Sequence, residues 1–209
     1  MIPRKFCSKT LILLCFALVA SGCSRSSPPS LQWIGSDGVI LAFGDSLTHG
    51  SGTTPDKAYP AVLAELINRQ VELEATPGDK TGDGLGKLLP ALQEHQPDLL
   101  ILCLGGNDFL RKVELASTRR NLQQMIEMAR AQGSQVMLIG VPQPALFGLD
   151  VHPLYRELAQ QYQLPLEADI VAEVLSDRDT KSDAIHPNAA GYRQMAGAIA
   201  ELLREAGAI

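Results

Sequence analysis

From about residue 38 onward, short apolar runs alternate along the chain with longer segments of mixed polarity. Five of the short runs have the length and composition of strands: 39–43, 71–75, 98–104, 135–141 and, less clearly marked, 164–166. Five of the longer segments repeat apolar residues at helical spacing: 59–69, 84–95, 117–133, 153–163 and 188–207. Pro60 is compatible with a first helical turn, whereas Pro90 is predicted to kink its helix or to mark where that helix begins.

This alternation predicts an α/β fold in one domain over residues 38–209, a three-layer α/β/α sandwich with a five-stranded parallel sheet. Because crossovers between parallel strands are right-handed, we expect a flavodoxin-like strand order, 2-1-3-4-5. Ligands of such sheets bind between the carboxyl ends of strands one and three. The first strand is followed by a turn that contains Ser46, and the third by a turn that contains Asn107. We therefore expect Ser46 and Asn107 to face each other across one crevice.

Residues 1–22 have the features of a signal peptide, since basic residues precede a short apolar run and small residues lead to Cys23. The apolar run is too short to span a bilayer, which makes a retained transmembrane anchor the weaker interpretation. The segment that ends at Cys23 resembles a lipoprotein cleavage site, although Ala20 stands where leucine is usual. We predict export to the periplasm or cell envelope, a lipid on Cys23 that holds the domain at a membrane surface, and a flexible tether over residues 23–37. Cleavage without lipidation is the alternative.

The charge of the chain excludes one class of partner. The net charge is −5, and removal of residues 1–22, which carry three basic and no acidic residues, lowers it to −8. Because binding of nucleic acid needs a basic surface, nucleic acid is not an expected partner. Of the four cysteines, Cys103 alone remains if Cys23 is lipidated, and its apolar neighbours indicate a buried core residue. No disulfide is expected.

Ser46 is the candidate nucleophile, and a serine nucleophile requires a base. His186 is the candidate base because Asp183 precedes it by three residues, which lets a carboxylate hold the histidine ring within one turn. The alternative is that Asp183 caps the turn and that His186 is a surface residue. The N–H of Ser46, the backbone at Gly78 and the side-chain amide of Asn107 are candidate donors to an oxyanion. The alternative for Gly78 is an ordinary turn, and for Asn107 a loop amide that bonds its own backbone.

The chain contains, in order, the blocks FGDSLT, PGD, GGND and DAIHPN, which resemble the four characteristic blocks of the SGNH (GDSL) hydrolases. The resemblance extends from about residue 39 to the last helix and looks closest to the bacterial secreted or periplasmic thioesterases, arylesterases and lysophospholipases. It implies these roles: Ser46 as nucleophile, His186 as base and then acid, Asp183 as its orienting partner, and Ser46, Gly78 and Asn107 as the oxyanion hole. Asp45 and Asp108 also match the blocks, and we interpret them as residues that organise the loops.

The reaction that this resemblance implies is the hydrolysis of acyl esters through a covalent acyl-serine intermediate, with no cofactor and no metal ion. Small acyl esters or lysophospholipids are the expected substrates. Phe109, Leu146 and Phe147 are predicted to line an acyl pocket, with Leu110 and Leu149 nearby. The alternative is that these side chains form a small apolar cluster beneath a loop.

Other functions remain open on the sequence alone. A short-chain carbohydrate acetylesterase would use the same catalytic residues and differ in its loops. A metal-dependent hydrolase would need several convergent ligands, of which only Asp183 and His186 are suggestive. A non-catalytic lipoprotein that binds lipids or glycans would not need every group required for acyl transfer. The chain contains no G-x-S-x-G, which argues against an α/β-hydrolase.

Overall fold

The computed structural model describes residues 28–144, 146 and 148–209. The predicted signal peptide, the predicted lipidation site Cys23 and the predicted pocket residue Phe147 lie outside the described residues. Among those described, no helix has both the length and the apolar character needed to cross a lipid bilayer.

The described residues form seven strands and eight helices, with a short 3-10 turn at Pro55–Lys57. The strands are β1 (Val39–Gly44), β2 (Gln70–Ala75), β3 (Leu99–Cys103), β4 (Gln135–Ile139), β5 (Pro142–Pro144), β6 (Leu149–Val151) and β7 (Leu166–Glu167). The helices are α1 (Ser46–His49), α2 (Tyr59–Ile67), α3 (Thr81–His95), α4 (Gly106–Leu110), α5 (Leu115–Ala131), α6 (Pro153–Tyr162), α7 (Ile170–Ser176) and α8 (Ala189–Glu205).

Five strands form one parallel sheet in the order β2-β1-β3-β4-β7, which confirms the predicted fold class and strand order. β1 and β3 are buried along almost their whole length because helices cover both faces of the sheet. Gly44, the last residue of β1, pairs with Ala75 of β2 and with Cys103 of β3. The carboxyl ends of β1 and β3 are therefore adjacent, and the turns that follow them share one edge of the sheet.

Helices form a layer on each face of this sheet. α2 packs against α8, which also contacts α7, and on the other face α3 packs against α5. α6 lies beside α5, where Arg119 pairs with Glu157. Asn188 is the N-cap of α8, since its Oδ1 accepts hydrogen bonds from the N–H groups of Ala190 and Gly191.

Several features differ from the predicted elements. α3 begins at Thr81, so Pro90 lies inside the helix and does not mark its start. The antiparallel hairpin of β5 and β6, and the short helices α4 and α7, were not predicted. Each strand of the hairpin has only three residues, which is too few to show an alternating pattern. β5 also contains Pro142 and Pro144, and proline argues against a strand in a sequence.

Residues 31–34, which we call the N-terminal strap, correct the predicted domain boundary. The N–H of Leu31 donates to the carbonyl of Ala206 at 2.8 Å, and the N–H of Ile34 donates to that of Ala208 at 2.8 Å. Ile34 is only 1% exposed and belongs to the hydrophobic core. Since this side chain and two backbone bonds hold the strap, the packed unit begins at Leu31 and not at residue 38, within the segment predicted to be a flexible tether.

Candidate active site

Ser46 is the first residue of α1, just beyond the carboxyl end of β1. Asp45 precedes it at the N-cap, and its Oδ1 accepts a hydrogen bond of 3.0 Å from the N–H of Leu47. A side chain at Gly44 would collide with the carbonyl oxygen of Cys103 on β3, so glycine is required before this turn. The close approach of the two strands places the half-buried side chain of Ser46 at the edge of the sheet.

Ser46, His186 and Asp183 form a continuous hydrogen-bonded chain. Ser46 Oγ lies 3.0 Å from His186 Nε2, and His186 Nδ1 lies 2.8 Å from Asp183 Oδ2. Both distances suit hydrogen bonds between a nucleophile, a base and an orienting carboxylate. When Nδ1–H donates to Asp183, Nε2 carries the lone pair that can accept the proton of Ser46. The structure thus brings together the three side chains that the sequence singled out.

The loop that carries His186 is held by hydrogen bonds from its own residues. Asp183 Oδ1 accepts from the N–H groups of Ile185 at 2.8 Å and His186 at 2.9 Å. The hydrogen bond with the His186 ring is the largest of the effects that lower the pKa of Asp183 below its ordinary value, and the bond from the N–H of Ile185 is the next largest. Asn188 Nδ2 donates to the carbonyl of Asp179 at 2.9 Å and fixes the far end of the loop. Asp183 therefore caps the turn and also holds the ring, and His186 is bonded at both ring nitrogens and is not a free surface residue.

Asn107, in α4, is bonded to two other loops and not to its own backbone. Its Nδ2 donates to Asp45 Oδ2 at 3.2 Å and to the carbonyl of Asp79 at 3.0 Å. Since an amide nitrogen carries two hydrogens, both have acceptors in this structure. Gly105, before α4, has a φ of +126°, and a side chain there would collide with the hydroxyl of Tyr155. The glycine before this turn is therefore required by both conformation and space.

Gly78 has a φ of +87°, a conformation that favours glycine. It precedes Asp79, whose carbonyl is one of the two acceptors of Asn107 and whose side chain pairs with Lys87 at 2.6 Å. Gly78 is not among the residues that line the cavity next to Ser46. The turn at Gly78 is therefore joined to the site through Asn107.

Two carboxylates that match the sequence blocks are buried beside the site. Burial raises the pKa of Asp45 to about 6, although the bonds from Leu47 and Asn107 oppose this shift. Asp108 is fully buried and accepts hydrogen bonds from Thr81 N–H at 2.8 Å, Thr81 Oγ1 at 2.5 Å and Thr118 Oγ1 at 3.1 Å. It thereby ties α4 to the starts of α3 and α5. This agrees with the interpretation of Asp45 and Asp108 as residues that organise the loops.

A cavity of about 490 Å³ opens beside Ser46. This volume lies within the range usual for small-molecule sites. The wall is mainly apolar, with contributions from Leu47, Phe109, Val141, Leu149, Leu175 and Ile185. Its polar side chains include Asp45, Ser46 and Asn107. An apolar space that ends at a hydrogen-bonded serine suits a ligand with a hydrocarbon part and one reactive polar group.

Phe109, which we predict to line an acyl pocket, lines this cavity, and so do Leu110 and Leu149. The prediction for Leu146 is not supported, because this residue lies between the two strands of the hairpin, is 90% exposed and is not part of the cavity wall. His152, to which the sequence assigned no role, stacks on the ring of Phe109 with 4.4 Å between ring centroids. Burial lowers the pKa of His152, so its neutral ring is a fitting partner for an apolar wall.

One group of potential metal ligands occurs among the described residues, formed by Glu74, Glu94 and His95. His95 Nε2 lies 3.1 Å from Glu74 Oε1, so the histidine already has a carboxylate partner. None of the three residues lines the cavity next to Ser46. The group therefore offers no ligands to a reaction at Ser46.

Comparison with known proteins assigns this arrangement to a family. The model of the GDSL-like Lipase/Acylhydrolase family matches residues 42–194, a range that includes Ser46, Asn107, Asp183 and His186. The chain is 30% identical over 157 residues to thioesterase 1/protease 1/lysophospholipase L1 of Escherichia coli (strain K12), covering 72% of this chain and 76% of that protein. It is 28% identical over 158 residues to an arylesterase of Vibrio mimicus, covering 71% of this chain and 79% of that protein.

A solved structure gives the same result for the fold. The crystal structure of TesA superimposes with a TM-score of 0.73 at 27% identity, over 80% of this chain and 99% of that one. Fold, family blocks and relatives point to the same chemistry. The chain belongs to the GDSL-like lipase/acylhydrolase family and is an esterase that hydrolyses acyl esters.

Proposed function

We propose that Ser46 is the nucleophile of this esterase, that His186 is its base and that Asp183 orients the histidine. The hydrogen-bonded chain from Ser46 Oγ through the His186 ring to Asp183 carries this proposal. Ser46 Oγ attacks the acyl carbonyl while His186 Nε2 takes its proton and later delivers it to the leaving group. Water then attacks the acyl-serine, with His186 again as the base, and releases the carboxylic acid.

Asn107 and the backbone N–H groups of Ser46 and Gly78 are the proposed oxyanion donors. The position of Asn107 at the cavity wall, opposite the turn of Ser46, supports its role. Because both hydrogens of its amide have acceptors, an oxyanion would share the hydrogen directed at Asp45, along the longer bond of 3.2 Å. This arrangement holds the donor in place before the negative charge develops.

The proposed substrates are acyl esters or lysophospholipids whose hydrocarbon chain enters the cavity. The mainly apolar wall and the 490 Å³ volume favour a chain longer than acetyl.

Part of this proposal concerns location: we propose export to the periplasm or cell envelope and a lipid anchor on Cys23. The basic, apolar and small-residue order of residues 1–22, followed by cysteine, supports it. Incorporation of labelled palmitate by the full chain, and its loss in Cys23→Ser, would test the anchor.

The proposed reaction is tested with residues 24–209 and nitrophenyl esters from acetyl to palmitoyl. Turnover is expected to disappear in Ser46→Ala and to persist in the matched variant Ser51→Ala, and a fluorophosphonate is expected to label only proteins that retain Ser46. Turnover that survives in Ser46→Ala would reject the assigned nucleophile. Activity confined to the acetyl ester would instead favour the carbohydrate acetylesterase.

A further inference from the structure

Apolar side chains continue from the cavity wall to the protein surface. Leu110 and Ile185 line the cavity, yet they are 61% and 44% exposed. Leu146 is 90% exposed between strands β5 and β6, which contribute Pro142 and Leu149 to the same wall. We call Leu110, Leu146 and Ile185 the apolar rim. Leu110 and Ile185 thus belong both to the cavity wall and to the protein surface, and Leu146 is exposed on the hairpin that contributes to the same wall.

Such a rim is costly unless something covers it. The transfer of a leucine side chain from water to an apolar medium is favourable, and exposed apolar patches mark interaction sites. The other large exposed apolar side chains among the described residues, Trp33, Leu66, Leu73, Leu89 and Leu115, do not line the cavity. Leu110 and Ile185 are thus set apart because they line the cavity, and Leu146 because it lies between the two strands that contribute to the cavity wall.

The chemistry of the rim indicates what covers it. Arg111 and Lys112 follow Leu110 directly and are exposed, so two basic residues are the sequence neighbours of one rim leucine. Asp150 on β6 is an exposed acidic residue of the hairpin, so the basic neighbours of the rim are those next to Leu110. Long basic side chains can place their charge at phosphate groups while their stems lie on apolar surface. An apolar patch with basic neighbours matches the surface of a phospholipid aggregate, with hydrocarbon below a layer of phosphate groups.

We propose that the apolar rim docks on a lipid surface and that the enzyme draws its acyl esters directly from micelles or membranes. This inference rests on the proposed function, because it concerns how the same substrates reach Ser46. Docking places the cavity entrance against hydrocarbon, so an acyl chain passes from the aggregate into the cavity without crossing water.

The test compares one substrate in two physical states. Residues 24–209 are assayed on a lysophosphatidylcholine with a dodecanoyl chain, at concentrations below and above its critical micelle concentration. We expect the wild-type rate to rise steeply when micelles form. Leu146→Ser is expected to lower the rate on micelles by about fivefold or more, since one leucine loses its apolar contact. Its rate on monomers is expected to stay unchanged, because Leu146 is outside the cavity wall.

Two matched variants separate docking from general damage. Leu66→Ser removes a leucine that is 47% exposed in the last turn of α2, away from the cavity, and should keep the full rise with micelles. Leu146→Met keeps an apolar side chain at this position and should also keep the full rise with micelles. The inference is overturned if the wild-type rate does not rise with micelles, or if Leu66→Ser loses as much of the rise as Leu146→Ser. In either case, turnover of nitrophenyl butyrate by the wild type leaves the proposed function intact. If the wild type hydrolyses neither nitrophenyl butyrate nor the lysophosphatidylcholine, the proposed function is rejected.

Discussion

The side-chain amide of Asn107 donates a hydrogen bond of 3.2 Å to Asp45 Oδ2, and Asp45 is only 1% exposed. The other oxygen of Asp45 accepts from the N–H of Leu47, in the helix that begins with Ser46. One buried carboxylate thus joins the turn after β1 to the turn after β3. It fixes the proposed oxyanion donor relative to the nucleophile, and we regard Asp45 as a positioning residue.

Substitution Asp45→Asn tests this role. The new amide can still accept from Leu47 through its oxygen, but its nitrogen then faces the nitrogen of Asn107, and two donors oppose each other. We expect kcat to fall by about tenfold or more with little change in KM, because a donor to the transition state is displaced. Steady-state kinetics with nitrophenyl butyrate measure both constants, and Asp150→Asn, at an exposed acid on β6, is the matched control. An unchanged kcat would show that Asn107 keeps its position without Asp45.

Asp45 also predicts how stability depends on pH. Its pKa rises from an ordinary value of 3.8 to about 6 on folding, so the folded protein binds this proton more tightly than the unfolded chain does. The resulting stabilisation is fully present below about pH 4 and is lost as the pH rises through about 6. The loss is on the order of 3 kcal/mol.

Urea unfolding of wild type and Asp45→Asn between pH 4 and pH 8 checks this expectation. The free energy of unfolding of the wild type, relative to that of the variant, should decrease from pH 4 to pH 6 and then level off. A difference that is constant across this range would contradict the raised pKa of Asp45.

Asp183→Asn should separate ring orientation from loop structure. The asparagine oxygen can still accept from the N–H groups of Ile185 and His186, so the melting temperature should change little. Without the carboxylate, the ring tautomer is no longer fixed and the imidazolium is no longer stabilised, so kcat/KM should fall by up to about 10⁴-fold. Asp179→Asn, in the same loop, is the control. Retention of most activity in Asp183→Asn would mean that His186 is oriented by other contacts.

Asp108→Ala is expected to destabilise the protein. It leaves the N–H and the hydroxyl of Thr81 and the hydroxyl of Thr118 without their acceptor in a buried place. Unsatisfied buried polar groups of this kind cost about 1–3 kcal/mol each, so the free energy of unfolding should fall by at least about 3 kcal/mol. Chemical denaturation measures this change, and Thr118→Val should reduce the additional cost because it removes one of the orphaned donors. Equal stability of wild type and Asp108→Ala would show that Asp108 does not hold α4 to α3 and α5.

Val141→Phe should shorten the acyl chain that the enzyme prefers. Val141 is 4% exposed and forms part of the cavity wall, so a larger side chain fills space that a substrate would occupy. Each methylene group that no longer fits loses about 0.8 kcal/mol, which is roughly fourfold in kcat/KM. A nitrophenyl ester series measures the chain-length optimum, with Leu66→Phe as the control. An unchanged optimum would place the acyl chain elsewhere.

The sequence predicts most of the sheet because its strands are continuous apolar runs that are buried on both faces. β1 and β3 are of this kind, and the turns after them carry Ser46 and Asn107, which line one cavity. The fifth parallel strand, β7, has only two residues and was poorly marked in the sequence. Its position still follows from the alternation of strands and helices.

The unpredicted features depend on contacts between distant residues. Burial of Ile34 depends on the strap reaching Ala208, far along the chain, and a serine- and proline-rich segment gives no sign of it. Helix α7 has seven residues, too few to show a clear helical period. The stacking of His152 on Phe109 likewise joins two loops, so residue type alone could not reveal it.

The N-terminal strap brings the two ends of the packed unit side by side, since Leu31 and Ile34 bond to Ala206 and Ala208. A short linker between these ends would give a circular permutant whose new termini open at a surface loop of choice. Placed at the loop between β5 and β6, the break would free the hairpin that carries Leu146 while leaving β1 and β3 intact. The fold is therefore suited to circular permutation, with the new N- and C-termini placed on the hairpin beside the active site.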